Sequence, residues 1–190
     1  MTEERIPWKE SQALSQQLVN EAKPYDENTE AEMVACSLYA LIYEGTELGS
    51  PWSEPAPQII YVGRGDTDSP RHFANDTAVS TVRRSLAAML AGIEDLTPLP
   101  GSDDPNDVDR FSNYRLDEAS EAKLSQWMRE NLKIACLKLP AALDESTYLG
   151  LLDYAAPLFN FQLNPNNLYG TQVKKYRQLM AEKAAEAVQE

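Results

Sequence analysis

Residues 58–85 read QIIYVGRGDTDSPRHFANDTAVSTVRRS, and this stretch decides the fold. The apolar run Ile59, Ile60, Tyr61 and Val62 predicts a buried strand. Gly63 and Gly65 then bracket Arg64, a polar turn follows, and the chain enters an amphipathic helix whose start concentrates arginine. Strand, glycine turn, basic loop and helix together form a common device for bringing backbone and cations up to a phosphate. Asn75, Asp76 or Thr77 can cap the helix, and Val79, Val82, Leu86, Met89, Leu90 and Ile93 follow helical spacing along it. Arg84 lies nearly opposite Val82 on that helix and Arg83 sits on its flank. Both read either as solvated charge or as contacts to a polyanion.

Upstream, Met33 to Tyr43 (MVACSLYALIY) is nearly all apolar and β-compatible, which predicts a strand covered on both faces. Glu44 to Pro57 holds three prolines and two glycines, a loop joining two antiparallel neighbours. Ser11 to Lys23 reads as a first helix, with Leu14, Leu18, Val19 and Ala22 on one side and Pro24 ending it. Downstream, Thr97 to Asn113 is an acidic loop. Its spacing does not match a calcium loop, because no glycine falls sixth from Asp103 or Asp104 and Arg115 stands twelfth from Asp104. Leu116 to Asn131 is a helix, Lys133 to Leu139 a third strand, and Leu143 to Tyr154 a further helix with Glu145 in its first turn. Phe159 to Asn167 is an asparagine-rich loop. From Thr171 onward, Val173, Tyr176, Met180, Ala184 and Ala187 make a weak stripe that suits packing on the domain or pairing with a second copy.

This order predicts an α+β fold: a small, three-stranded, largely antiparallel sheet flanked by helices, with extra helices at the N- and C-termini. Residues 1–32 are expected to form an N-terminal helical extension, 33–167 the central domain and 168–190 a C-terminal helix.

The 190 residues carry 17 Lys and Arg against 30 Asp and Glu, a net charge of −13 that opposes polyanion binding by the chain as a whole. The charge is uneven. Between Pro57 and Ile93, Arg64, Arg71, Arg83 and Arg84 outnumber Asp66, Asp68 and Asp76, a locally cationic stretch. No apolar run is long enough to cross a membrane and the first 30 residues lack a signal-peptide core, so the expectation is a soluble cytoplasmic protein. Cys36 and Cys136, 100 positions apart, read as small buried side chains. His72 is the only histidine, which rules out a histidine metal cage, and the phosphate-loop, zinc and esterase signatures are missing. Tyrosines, arginines, one histidine and one glutamate remain as candidates for chemistry.

On these residues a resemblance can be stated. Ser37-Leu38-Tyr39 and Tyr61-Val62-Gly63, on consecutive strands, resemble the two halves of the GIY-YIG nuclease signature, with Ser-Leu standing for Gly-Ile. Arg71 lies eight residues after Gly63, and Glu145 and Asn160 are fifteen apart, both spacings similar to those of the family. From about Val34 to Asn167 the chain is similar to a group of bacterial GIY-YIG-like proteins, notably in His72-Phe73, Ser80 to Ser85, Arg110 to Tyr114, Trp127-Met128 and Pro157 to Asn160. The resemblance implies a metal-dependent endonuclease acting on DNA. Glu145 would hold a single Mg²⁺ or Mn²⁺, and Tyr39 or Tyr61 would orient and deprotonate water. Arg71 would grip the scissile phosphate, with Arg64; His72 would bond a tyrosine hydroxyl or the phosphate; Asn160 would brace the site; Arg83 and Arg84 would add contacts to nucleic acid.

One departure supports an alternative. In the nuclease pattern the arginine and histidine lie one helical turn apart, whereas Arg71 and His72 are adjacent and would point about 100° apart on a helix. Aligned on His72-Phe73, the bacterial group places its arginine near Thr67 and a basic residue at Asp76. The alternative is a catalytically decayed binding module for a protein partner, or a nucleic-acid mimic presenting the acidic loop Gly101 to Asp109. An RNA- or small-molecule-directed activity on the same scaffold is the third option.

Overall fold

A computed structural model describes residues 8–26, 28–45, 48, 57–65, 72–73, 76–139, 145–155, 157–160 and 168–188. Elements appear in the order α1 (Trp8–Asn20), β1 (Lys23–Pro24), α2 (Thr29–Ala35), β2 (Leu38–Tyr43), β3 (Gln58–Gly63), α3 (Thr81–Leu90), β4 (Pro98–Leu99), β5 (Arg115–Leu116), α4 (Glu118–Asn131), β6 (Leu132–Leu137), α5 (Glu145–Ala155), a 3₁₀ turn (Leu158–Asn160) and α6 (Leu168–Glu186). The fold is α+β. Its principal sheet is antiparallel in the order β1-β6-β2-β3, so the three expected long strands are joined by a two-residue edge strand; β4 and β5 form a second, small sheet.

The chain divides into two compact units. In the first, residues 1–44, 55–70 and 129–170, the principal sheet buries one face under helices. Leu38, Ala40 and Ile42 of β2, Ile59 and Val62 of β3, and Ala135 and Leu137 of β6 pack with Leu18 of α1 and Tyr148, Leu151 and Leu152 of α5. Helix α1, read from sequence as part of an extension, thus supplies Leu18 to this core. Ile59 and Val62 share a face despite odd spacing because the β2–β3 register shifts: Leu41 opposes Tyr61 while Ile42 opposes Ile59, leaving Ile60 as an extra residue. A bulge of this kind reverses the alternation locally, and it turns Ile59 to the face that carries Val62, while Tyr61 stays on the opposite face with Tyr39.

The second unit, residues 45–54, 71–128 and 171–190, is organised by a buried ion pair. Arg83 is wholly buried and its Nη2 lies 2.6 Å from Glu121 Oε2. The same guanidinium donates to Ser125 Oγ at 2.9 Å and to the His72 carbonyl at 3.1 Å, and Glu121 accepts from the Thr77 amide at 2.7 Å and the Thr77 hydroxyl at 2.8 Å. Residues 72–80 are thereby tied to both α3 and α4.

Three local expectations are revised. The apolar run from Met33 is not one strand: α2 takes Met33 to Ala35, Cys36 turns the chain, and β2 begins at Leu38. Helix α3 is capped by Ser80, whose Oγ accepts from the Arg83 amide at 3.2 Å, so Asp76, Thr77 and Val79 precede it; Asn75 lies outside the described residues. Arg83 and Arg84, placed by the helical pattern outside the apolar stripe, are both buried. The acidic loop is a series of aspartate-capped turns in which Asp104 and Asp107 accept from the amides of Asn106 and Asp109.

Candidate active site

Tyr39, Tyr61, Arg64 and Asn160 of the first unit gather around the end of β3. Tyr39 opposes Gly63 and Tyr61 opposes Leu41 across the β2–β3 ladder, and residues in directly opposed positions share a face. The two tyrosine rings lie 6.0 Å apart, tilted by 45°. Tyr39 is fully buried and Tyr61 is half-buried, so the latter is the more accessible to water. Gly63 is what allows this arrangement, since a Cβ on it would coincide with the ring and hydroxyl of Tyr39.

β3 is the outer strand of the sheet, and the outward backbone groups of an edge strand need partners. Asn160 supplies them at Val62: its Oδ1 accepts from the Val62 amide and its Nδ2 donates to the Val62 carbonyl, both at 2.8 Å. Tyr148 Oη donates to the same carbonyl at 3.0 Å. Two side chains remote in sequence therefore fix the peptide between Tyr61 and Gly63.

The next residue, Arg64, lays its guanidinium over the Tyr148 ring, 4.7 Å from the centroid. Such stacking holds the cation by its face, a geometry guanidinium adopts readily. Tyr148 is also a member of the core cluster of this unit. Its link to Val62, 86 residues away, has no local signal. Glu145 is the first residue of α5, one turn ahead of Tyr148. Arg71 lies outside the described residues.

The remaining candidates belong to the second unit. His72 is buried, with Nδ1 hydrogen-bonded to Ser80 Oγ at 3.0 Å. Arg84 donates to the carbonyls of Thr77, at 3.2 Å, and Ala78, and to Thr81 Oγ1. Burial lowers the pKa of its guanidinium to about 10, with repulsion from Arg177 adding to the effect. Both Arg83 and Arg84 thus spend their donors inside the unit. Tyr114, buried behind α3, donates to the Arg84 carbonyl at 2.5 Å, and burial raises its hydroxyl well above the ordinary tyrosine range.

Among the described residues no three His, Cys, Asp or Glu side chains converge as a metal cage. A divalent ion of the Mg²⁺ type does not require one, because it retains several waters and is held by one or two carboxylates plus the substrate's phosphate. A single glutamate opening α5 fits that requirement by donor chemistry.

A family model described as the GIY-YIG catalytic domain matches residues 39–182, most of the chain, including Tyr39, all of β3 and α5, and Asn160. The chain belongs to the GIY-YIG family. No curated protein and no solved structure matches it. No helix among the described residues is long and apolar enough to cross a membrane.

Proposed function

We propose that this protein is a metal-dependent endonuclease that hydrolyses DNA phosphodiester bonds. Membership of a nuclease family supports the reaction class. The observation that carries the reading is the Tyr39–Tyr61 pair, set side by side by the β2–β3 register and closed by Gly63, on a strand end pinned by Asn160 and Tyr148.

In this reading Tyr61 orients the attacking water and takes its proton, with Tyr39 fixed beside it. A free tyrosine hydroxyl titrates near 10, so the base needs a cation close by to work at neutral pH. Arg64, held by Tyr148, offers positive charge at the mouth of the glycine turn, and Arg71 offers it to the scissile phosphate. His72, held by Ser80, keeps the role that the family resemblance implies for it, a bond to the phosphate. Glu145 holds a single Mg²⁺ or Mn²⁺, which when bound supplies electrostatic stabilisation of developing phosphate charge. Asn160 braces the site without touching substrate.

DNA binding falls chiefly to Arg64 and Arg71, since the guanidinium groups of Arg83 and Arg84 are engaged internally. That same engagement favours a second reading. With two of its four cations turned inward, the basic stretch from Arg64 to Arg84 is weakened in a chain of charge −13, as a decayed domain that binds a protein partner would be. Cleavage of plasmid DNA with Mn²⁺ or Mg²⁺ at low salt, lost in Glu145→Ala, supports the nuclease; absence of cleavage by folded wild-type protein supports the binding module.

A further inference from the structure

Cys36 and Cys136, separated by 100 positions in sequence, come together in the first unit. Cys36 ends α2 and is buried, its Sγ donating to the Met33 carbonyl at 3.1 Å. Cys136 lies on β6 directly opposite Tyr39, hence on the tyrosine face of the sheet, and is half-buried. The chain between them closes back on itself, because the Ser37 amide bonds the Leu137 carbonyl at 2.9 Å and the Leu139 amide bonds Ser37 Oγ at 3.1 Å.

Both cysteines line one cavity of about 840 Å³, together with Glu21, Lys23, Glu32 and Lys138. Each thiol shifts the other: Cys36 is held below the ordinary thiol range by its neighbour Cys136, and Cys136 is pushed up by Cys36. Of the charged lining, Lys23 and Glu32 pair with each other at 2.6 Å, and Glu21 and Lys138 offer charge of both signs to a small zwitterionic peptide. The volume is sufficient to admit one.

We propose that Cys36 and Cys136 form a redox-active dithiol that closes to an intramolecular disulfide by exchange with a low-molecular-weight peptide disulfide entering this cavity. The Cys36 thiolate attacks one sulfur of RS–SR, forming a mixed disulfide on Cys36 and expelling RS⁻. Cys136, giving up its proton, then attacks the Cys36 sulfur and expels the second RS⁻. Both departing thiolates take up the protons that the cysteines gave up, and the two electrons lost by the protein reduce RS–SR to two RSH.

The pair is also placed to act on the candidate site. Gly65 packs so tightly on the Cys36 and Met33 carbonyls that a Cβ there would overlap them, so movement of Cys36 toward Cys136 is transmitted to the turn that carries Arg64. This consequence rests on the nuclease reading, whereas the thiol chemistry does not.

The test treats reduced wild-type protein with oxidised glutathione, quenches with iodoacetamide and weighs the intact chain, alongside a sample held in urea. The expected native product has lost two hydrogens, carries no alkyl group, reverts with dithiothreitol, and forms without build-up of a glutathionylated species. In urea the glutathione adduct should accumulate instead. Two alkylated cysteines after treatment, a persistent adduct in the native protein, or a disulfide between chains would overturn the proposal. Cleavage measured on the same samples should fall several-fold on oxidation; a disulfide that forms with cleavage unchanged would refute the transmission to Arg64 alone.

Discussion

Replacing Asn160 by alanine removes both hydrogen bonds that hold Val62, and the cost can be worked out from the partners left behind. The Val62 amide, buried on the sheet edge, keeps no acceptor there, and an unsatisfied buried donor costs about 1–3 kcal/mol. The Val62 carbonyl retains the Tyr148 hydroxyl, so its loss is a single net hydrogen bond of about 1 kcal/mol. The sum, about 2–4 kcal/mol, should lower the melting temperature of a chain this size by roughly 5–15 °C. Urea titration with paired fluorescence and circular dichroism readouts would measure it. Tyr148→Phe alone should cost about 1 kcal/mol, because Asn160 still serves the carbonyl. The double variant should exceed the sum of the singles, since the carbonyl then has neither donor. An Asn160→Ala protein within about 0.5 kcal/mol of wild type, a change typical of an unconnected surface position, would refute the claim that this side chain pins β3.

Gly63→Ala forces a methyl into the Tyr39 ring, so it should destabilise by about 1–3 kcal/mol and reduce cleavage beyond what the stability loss explains, as checked by denaturation and plasmid nicking. Glu121→Ala leaves the Arg83 guanidinium buried without its carboxylate and should cost about 3–5 kcal/mol in urea titration, while replacing both partners by well-packed apolar residues should cost less. Asp117 caps α4 through the Ser120 amide at 2.7 Å, and hydrogen bonds from Ser120 hold its carboxyl below the ordinary value of 3.8. A depressed carboxylate stabilises above its unfolded value and loses that contribution as pH falls through the folded one. Stability should therefore decline below about pH 4, and Asp117→Ala should remove part of that decline at a cost of about 1 kcal/mol near neutrality.

The strands were legible because Leu38 to Tyr43, Gln58 to Gly63 and Leu132 to Leu137 are apolar runs bounded by turn residues. Their antiparallel order followed from the short proline-rich connection between the first two. Helix α2 was hidden by the same signal, since Met33, Val34 and Ala35 are as apolar as the strand that follows. Tyr39 and Tyr61 could be named from sequence, but their sharing a face depends on the β2–β3 register that sets Tyr61 opposite Leu41, which alternation within one strand does not reveal. Asn160 and Tyr148 reach Val62 across 98 and 86 residues, and no local pattern encodes such bonds. Arg83 looked solvated because a helical projection shows only its own helix; Glu121, which accounts for its burial, is 38 residues away. The two cysteines were dismissed as a pair for the same reason, separation in sequence standing in for separation in space.

The most direct test of the central claim is metal-supported cleavage of supercoiled plasmid by wild-type protein beside Glu145→Ala, both verified as folded by circular dichroism. Nicking or linearisation by the wild type, and none by the variant, is the predicted result. Equal cleavage by the two proteins, or none by the folded wild type with either Mg²⁺ or Mn²⁺, would contradict it.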